Sequence, residues 1–444
     1  MLVYTAHITP RIAYILQYFN EKLLVDAQLT NDVELYRSSA EAKINYSPDR
    51  IDAGELFIHP AGLLHQHSIN KQKLECFEWN GVKAFFKTDD DFGFDLFSAV
   101  FYLITRHEEY VEHEPDEYGR YAHWNSLAWK EEFLNKPMID IWLLKFKEEL
   151  QFKFSTFHFP LSTFHFLPTY DIDIAWSYRN KGFWRNIAAS LNQPSTIPKR
   201  LNVLFGNKTD PYDSYDWLQQ LHQQHALQPM YFFLVAAENS AYDKNISPGK
   251  KALQQLTRHT ANHSIIGLHP STQSNTNKEL LLKEKNRLQL ISNKLITATR
   301  HHYIQFYLPH SYRELIAAGF TDDYSMGYGT VNGFRASTSH SFLWYDLEKE
   351  EATSLRIHPF AYMEANSFYE LHQSAAEALQ EAKQLVEEVK NVNGTFISIF
   401  HNHMLGTDKM FKGWREMYEE FVMSTKETSA GLEKEAQQIP PSLD

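Results

Sequence analysis

LSTFHFLPTYDIDIAWS, residues 161–177, is the stretch from which the fold can be read. Phe164 and Phe166 alternate with polar neighbours, and the run then ends in Tyr170, Asp171, Ile172 and Asp173, as a short strand with an acidic end would. Side chains alternate along extended backbone, so Asp171 and Asp173 face the same side. Carboxylates held that close repel, and a cation or an arginine between them relieves the repulsion. Aspartate also caps helices and starts turns, so the pair by itself leaves both readings open.

Downstream the pattern recurs. Apolar runs at 229–235 (PMYFFLV), 264–269 (SIIGLH), 295–302, 354–357 and 395–400 (TFISIF) predict further strands. Between them, 213–225, 278–294, 311–318 and 367–389 predict helices, the last with an apolar stripe through Leu371, Ala375, Leu379, Ala382, Val386 and Val389. Strands alternating with helices predict an α/β fold with a parallel sheet, open or closed into a barrel, whose reactive groups gather at the carboxyl ends of the strands. Asp171, Asp173, His269, Arg300, His302, His401 and His403 all fall at such ends. One histidine there is usually a hydrogen-bonded rim residue; several ends carrying Asp, His or Arg are hard to ascribe to chance.

The first 150 residues read differently. Leu96, Ala99, Val100, Leu103 and Ile104 are spaced for an amphipathic helix that ends in Arg106, His107, Glu108 and Glu109. His107, Glu108, Glu109 and His113 lack the HExxH spacing of a zinc helix, so a charged helix end packed against the other domain is expected, and the region is assigned to scaffolding or substrate-side contact. Further helices are expected near 12–19 and over 138–150, with Asp140 as a favourable charge at the start of the second. The expected organisation is a smaller α+β domain at 1–155, an α/β domain at 160–424, and a polar tail at 425–444.

A net charge of −12 argues against nucleic acid or anionic lipid as partner. The single cysteine, Cys76, allows neither a disulfide framework nor a cysteine zinc site. No signal sequence or membrane span is read, which predicts a cytoplasmic protein. Any metal must therefore be held by His and carboxylates, a donor set that suits a divalent ion such as zinc. With a separate carboxylate as base and a histidine as acid, that is the equipment for metal-assisted amide or ester hydrolysis.

From Phe164 to Val422 these residues resemble the polysaccharide deacetylases of the NodB-homology type. Thr169–Asp173 (TYDID) is similar to that family's first motif, in which the earlier Asp is the base and the later one a metal ligand. Gly267–Ser271 (GLHPS) is similar to the second, whose first His binds metal, and Arg300–Tyr303 (RHHY) stands where its arginine motif belongs. Phe400–Asn402 (FHN) resembles the last, which ends in the general-acid histidine. The stretch before residue 150 resembles an uncharacterised domain found ahead of deacetylase domains in some bacterial proteins. The resemblance implies a distorted (β/α) barrel, with Asp171 as base, Arg300 as its partner, His401 as acid, and Asp173 and His269 as ligands. Two departures stand out: Gln273 occupies the place of the family's second histidine, and Ile172 separates carboxylates that are usually adjacent. His302, where the family has proline, is a candidate for the missing ligand.

Tyr303, Arg335, Asn402 and Glu364 are candidates for the substrate side, Arg335 because of its Gly-flanked loop and Glu364 as a carboxylate that could also orient His401. A surface turn for Arg335, an exposed loop for Glu364, and plain packing for Trp176, Trp184 and Trp344 are the competing readings. Asp322 and Asp323 are expected in a turn. The function expected is hydrolysis of an N-acetyl, or an O-acetyl, group on a carbohydrate or small N-acetylated substrate. Its rivals are a catalytically degenerate barrel that binds a glycan or protein, and an amide hydrolase acting on a small cytoplasmic molecule. The sugar, the role of the first domain and the oligomeric state are not readable.

Overall fold

In the computed structural model, which describes residues 1–155, 157–160, 162–181, 194–206 and 208–426, the quoted stretch supplies a strand of the largest sheet. Trp184 and the expected tail beyond residue 426 lie outside the described residues.

The first part of the chain builds β1 (Leu2–Tyr4), β2 (Gln28–Thr30), β3 (Lys43–Asn45) and β4 (Leu56–Phe57), a parallel sheet in the order β2-β1-β3-β4. A separate antiparallel pair follows, β5 (Phe77–Trp79) with β6 (Val82–Ala84). The helix Pro10–Leu23 starts where Thr9 accepts the Ile12 amide and proline takes the first helical position. Leu96–Ile104 is helical as expected, but all of its residues are buried, so it is a core helix without a solvent face.

The large sheet comprises β7 (His165–Ile172), β8 (Met230–Leu234), β9 (Ile265–His269), β10 (Ala298–Thr299), β11 (Asp322–Asp323), β12 (Phe342–Asp346), β13 (Glu351–Ile357), β14 (Tyr362–Met363) and β15 (Thr395–His401). Their order is β12-β13-β11-β10-β9-β8-β7-β15-β14, parallel throughout except for the β12–β13 pair. The expected α/β class is what forms. The closed barrel is not: among the described residues the sheet runs from an edge at β12 to an edge at β14, with no pairing between them. At one end an antiparallel hairpin occupies the edge, and at the other β14 offers only two residues to pair.

Other boundaries move for local reasons. The strand expected over 295–302 shrinks to Ala298–Thr299, and the Asp322–Asp323 turn is instead a short strand. The helix expected from 367 begins at Ala375, because Ser374 and Glu377 form a reciprocal capping box and His372 is left-handed at φ 52°. A π turn, Asn366–Glu370, precedes it. Apolar residues from Val3 to Val422 pack as one continuous cluster beneath these elements.

Register decides what meets at the sheet's carboxyl end. His401 pairs with Asp171 across β15–β7, Leu234 with His269 across β8–β9, and Leu268 with Thr299 across β9–β10. His401, Asp171, His269 and Arg300 therefore lie on neighbouring strand ends.

Candidate metal centre and active site

Asp173, one residue beyond β7, stands between histidines. His269 Nε2 is 3.1 Å from its Oδ1, His302 Nε2 is 3.5 Å from its Oδ2, and one ligand atom from each residue fits within 4.8 Å of the others. The far side of each ring is already committed. His269 Nδ1 lies 2.6 Å from the Arg300 carbonyl and His302 Nδ1 lies 2.9 Å from Asp243 Oδ1. A carbonyl or a carboxylate can only accept, so each Nδ1 carries a proton, and a ring without a second proton would turn its Nε2 lone pair toward Asp173. Lone pairs and a carboxylate then face one another across about a hydrogen-bond length, and Asp173 Oδ1 is buried with no hydrogen-bond partner. Something positive has to sit there, a proton or a metal ion, and the Asp/His/His donor set fits a divalent ion such as zinc.

The charge balance agrees. Burial would raise the Asp173 pKa, but His302 and His269 outweigh it and hold the carboxyl well below the usual range. Burial likewise opposes the charged form of His302, and the Asp173 and Asp243 carboxylates overcome it, raising the ring to about 9. Asp243 is held down to about 2 against its own burial, chiefly by His302, Ser240 and Thr272. The site thus gathers cations around a buried anion before any metal is considered.

Asp171, 2% exposed, takes Arg300 Nη1 on Oδ1 at 2.9 Å and keeps Oδ2 3.8 Å from His269 Nε2. Arg300 is fixed in turn: its Nε donates to the Tyr324 carbonyl at 3.0 Å, and its guanidinium lies 4.3 Å from the centre of the Phe232 ring. Gly267 makes that ring position possible, since a Cβ there would fall 2.5 Å from Phe232 Cε1. The sequence GLH at the end of β9 thus seats both the histidine and, through Phe232, the arginine.

On the other flank His401 Nε2 lies 3.4 Å from Asp173 Oδ2, and its Nδ1 donates to Glu364, 3.0 Å away. Glu364 is fully buried and also accepts the His401 backbone amide. Burial would lower the His401 pKa, but Glu364, then Asp173 and Asp171, raise it to about 10. His403 beside it goes the other way, lowered to about 3 by burial and by His401.

Asp171, Asp173, His269, His302, Tyr303 and His401 line one cavity of about 350 Å3, together with Tyr118, Arg120, Tyr242, Tyr369 and Glu370. Three expected substrate-side residues do not line it. Arg335 is buried and paired with Glu109, Nη2 to Oε2 at 2.6 Å, so it is neither in the cleft nor in a solvated turn. Asn402 spends its amide on the Tyr212 and Ile174 carbonyls, at 2.9 and 3.1 Å. Glu364 stands behind His401 instead of facing a ligand. Gln273 is exposed and outside the cavity, and His302 occupies the space near the cluster. Trp176 and Trp344 are buried. Sequence reasoning passed over Asp243, which sits in a polar loop after β8 with no distinctive spacing, and Tyr118 and Arg120, which come from the first part of the chain.

Comparison with known proteins gives a partial picture. Residues 1–155 match a family of unknown function, DUF7033. No curated protein matches the chain. Similar solved structures include a "putative polysaccharide deacetylase" from Mycobacterium smegmatis, 12% identical, covering 64% of this chain and 94% of that one with a TM-score of 0.38. A polysaccharide deacetylase from Bacillus cereus is 10% identical, over 61% of this chain and 89% of that one, with a TM-score of 0.31. A CE4 family pseudoenzyme from Bacillus anthracis is 8% identical, over 60% and 61%, with a TM-score of 0.29. No helix among the described residues is long and apolar enough to cross a membrane.

Proposed function

We propose that this protein is a metal-dependent deacetylase that hydrolyses an N-acetyl group, or less readily an O-acetyl group, on a carbohydrate. The observation that carries the reading is the convergence, in one cavity, of an arginine-held carboxylate, an Asp/His/His cluster and a glutamate-backed histidine, brought together from several strand ends of one sheet.

Asp173, His269 and His302 would hold the metal. A divalent ion held there would supply Lewis acidity, lowering the pKa of a bound water and polarising a carbonyl. The remaining work belongs to the side chains. Asp171 takes the proton of the attacking water; Arg300 on Oδ1 keeps the carboxylate oriented and leaves Oδ2 facing the cluster. His401 carries protons on both nitrogens at neutral pH, because Glu364 holds one and sustains the charge. Its Nε2 proton goes to the departing nitrogen as the carbon–nitrogen bond breaks, so acetate and a free amine leave. His403, kept neutral at its side, adds no competing positive charge.

Metal analysis of the purified protein, followed by acetate release from N-acetylglucosamine with and without a chelator, tests this reading. Stoichiometric metal with chelator-sensitive acetate release is expected. A metal-free protein that binds the sugar without releasing acetate would instead identify a non-catalytic binder.

A further inference from the structure

The cavity has a wall that the large sheet does not supply. Tyr118 and Arg120 belong to residues 1–155, yet both line the space in front of His302 and Tyr303. We infer that the turn Asp116–Tyr121 is part of the substrate site, and that it closes the cavity around a single N-acylated sugar unit or a chain end, excluding the interior of a polymer. This inference rests on the hydrolytic reading above.

The turn is built to stay where it is. The Asp116 amide donates to the Arg120 carbonyl and the Gly119 amide to the Asp116 carbonyl, each at 2.9 Å, and Gly119 takes the left-handed φ of 77° that the reversal needs. Arg120 donates from Nε to Asp116 Oδ2 and from Nη1 to the Tyr303 carbonyl, each at 2.7 Å. From the opposite side Gln305 donates to the Tyr118 carbonyl at 3.0 Å. Room for the guanidinium depends on Gly329, where a Cβ would fall 2.0 Å from Arg120 Nη1. These bonds grip a strained segment, since Tyr303 and Ile304 sit at φ 58° and 53°, a region that costs a non-glycine residue about 1–3 kcal/mol. Arg120 is therefore a positioning residue for Tyr303.

Tyr118 faces the substrate. Its ring lies 5.7 Å from that of Tyr303 and 6.3 Å from that of Tyr242, and the last two are 5.1 Å apart. Arg120 lies 4.6 Å from the Tyr118 ring centre and fixes its orientation. Tyr242 and Tyr303 line the cavity and remain 45% and 38% exposed, so part of this aromatic cluster stays open to solvent. A pyranose ring, with its C–H face apolar and its rim polar, suits such a surface. At about 350 Å3 the cavity is near the small end of the roughly 300–1,000 Å3 found for small-molecule sites, room for one sugar and its acyl group rather than a run of them.

Calorimetric titration of full-length, zinc-loaded Asp171→Asn protein with N-acetylglucosamine and its longer β-1,4 oligomers tests the inference. Affinity should be nearly independent of length. Tyr118→Ala should weaken it about tenfold, whereas Tyr118→Phe, which keeps the ring, should not, with melting temperature and bound metal unchanged in both. In the active background, Arg120→Lys should lower kcat as well as raise KM, because it loosens Tyr303. Affinity that climbs steadily with length, or a Tyr118→Ala variant that binds like its parent, overturns the proposal. So does a failure to bind any of the sugars. In that case acetate release from non-sugar N-acetyl compounds still judges the hydrolytic reading by itself, so the two failures are told apart.

Discussion

His302 Nδ1 lies 2.9 Å from Asp243 Oδ1, so the ring that faces Asp173 is aimed by a carboxylate from the loop after β8. Asp243 is itself immobilised, taking Ser240 Oγ at 2.7 Å and Thr272 Oγ1 at 2.8 Å on Oδ2. Removing it frees the ring to rotate and leaves its Nδ1–H without an acceptor.

Asp243→Ala should therefore weaken metal binding by about 10–100-fold, the usual cost of losing the partner that orients a histidine ligand. Competition titration with a chromophoric chelator measures it. Affinity equal to that of the parent would show that His302 is not a ligand, or does not need Asp243 to be one.

Asp171→Asn separates base from ligand. Arg300 Nη1 can still be met by the amide oxygen, and Asp173, His269 and His302 are untouched, so bound metal should stay stoichiometric. Turnover should fall by at least about 10²-fold, because the proton acceptor is gone. Acetate release measured against bound metal in the same preparation checks both halves.

Glu364→Gln should act through His401. Glu364 is the principal group that raises this histidine to about 10 against burial, so without it the ring loses its proton at lower pH. The alkaline limb of the kcat/KM profile should move down in pH, with metal content unchanged. A stability signature accompanies it. His401 binds its proton more tightly folded than unfolded, so the stabilisation is fully present below the unfolded value of about 6.5 and is lost as pH rises through about 10. The melting temperature deficit of the variant should be largest near pH 6 and shrink toward pH 10.

The sequence disclosed what local order controls. β7, β9 and β15 each carry an apolar run into the residue that reaches the site, so Asp171, His269 and His401 could be placed from periodicity and strand ends. β10 is only two residues long, yet the run 295–302 still leads to Arg300 and His302; β14 is equally short, too short for any pattern, and Glu364 just beyond it reads as a loop residue. Glu364 therefore looked exposed although it is fully buried behind His401. Arg335, flanked by glycine in the sequence, looked like a cleft residue because its partner Glu109 lies 226 positions away. Asp243 and Tyr118 were hidden for the same reason: what they do is fixed by long-range contacts, which composition and spacing do not encode.

The Glu109–Arg335 pair yields the last prediction. Glu109 Oε1 accepts Arg106 Nε at 2.7 Å and Arg335 Nε at 2.9 Å, and both arginines are essentially fully buried. Burial would raise the Glu109 pKa, but Arg335 and Arg106 hold it at about 2, so all three groups are charged in the folded state. Arg335 also donates from Nη1 to the Gly327 carbonyl at 3.0 Å, which ties the end of the Leu96–Ile104 region to the loop after β11. Arg335→Leu leaves Glu109 with one cation and an unsatisfied oxygen in a place water does not reach. Breaking a buried pair from one side typically costs about 3–5 kcal/mol, and Arg106 should keep the loss toward the lower end. Since Arg335 does not line the cavity, the metal-loaded protein should retain its kcat at temperatures where it stays folded. Urea unfolding together with kcat at low temperature separates the two effects. A variant of normal stability but abolished turnover would place Arg335 in the catalytic cleft after all.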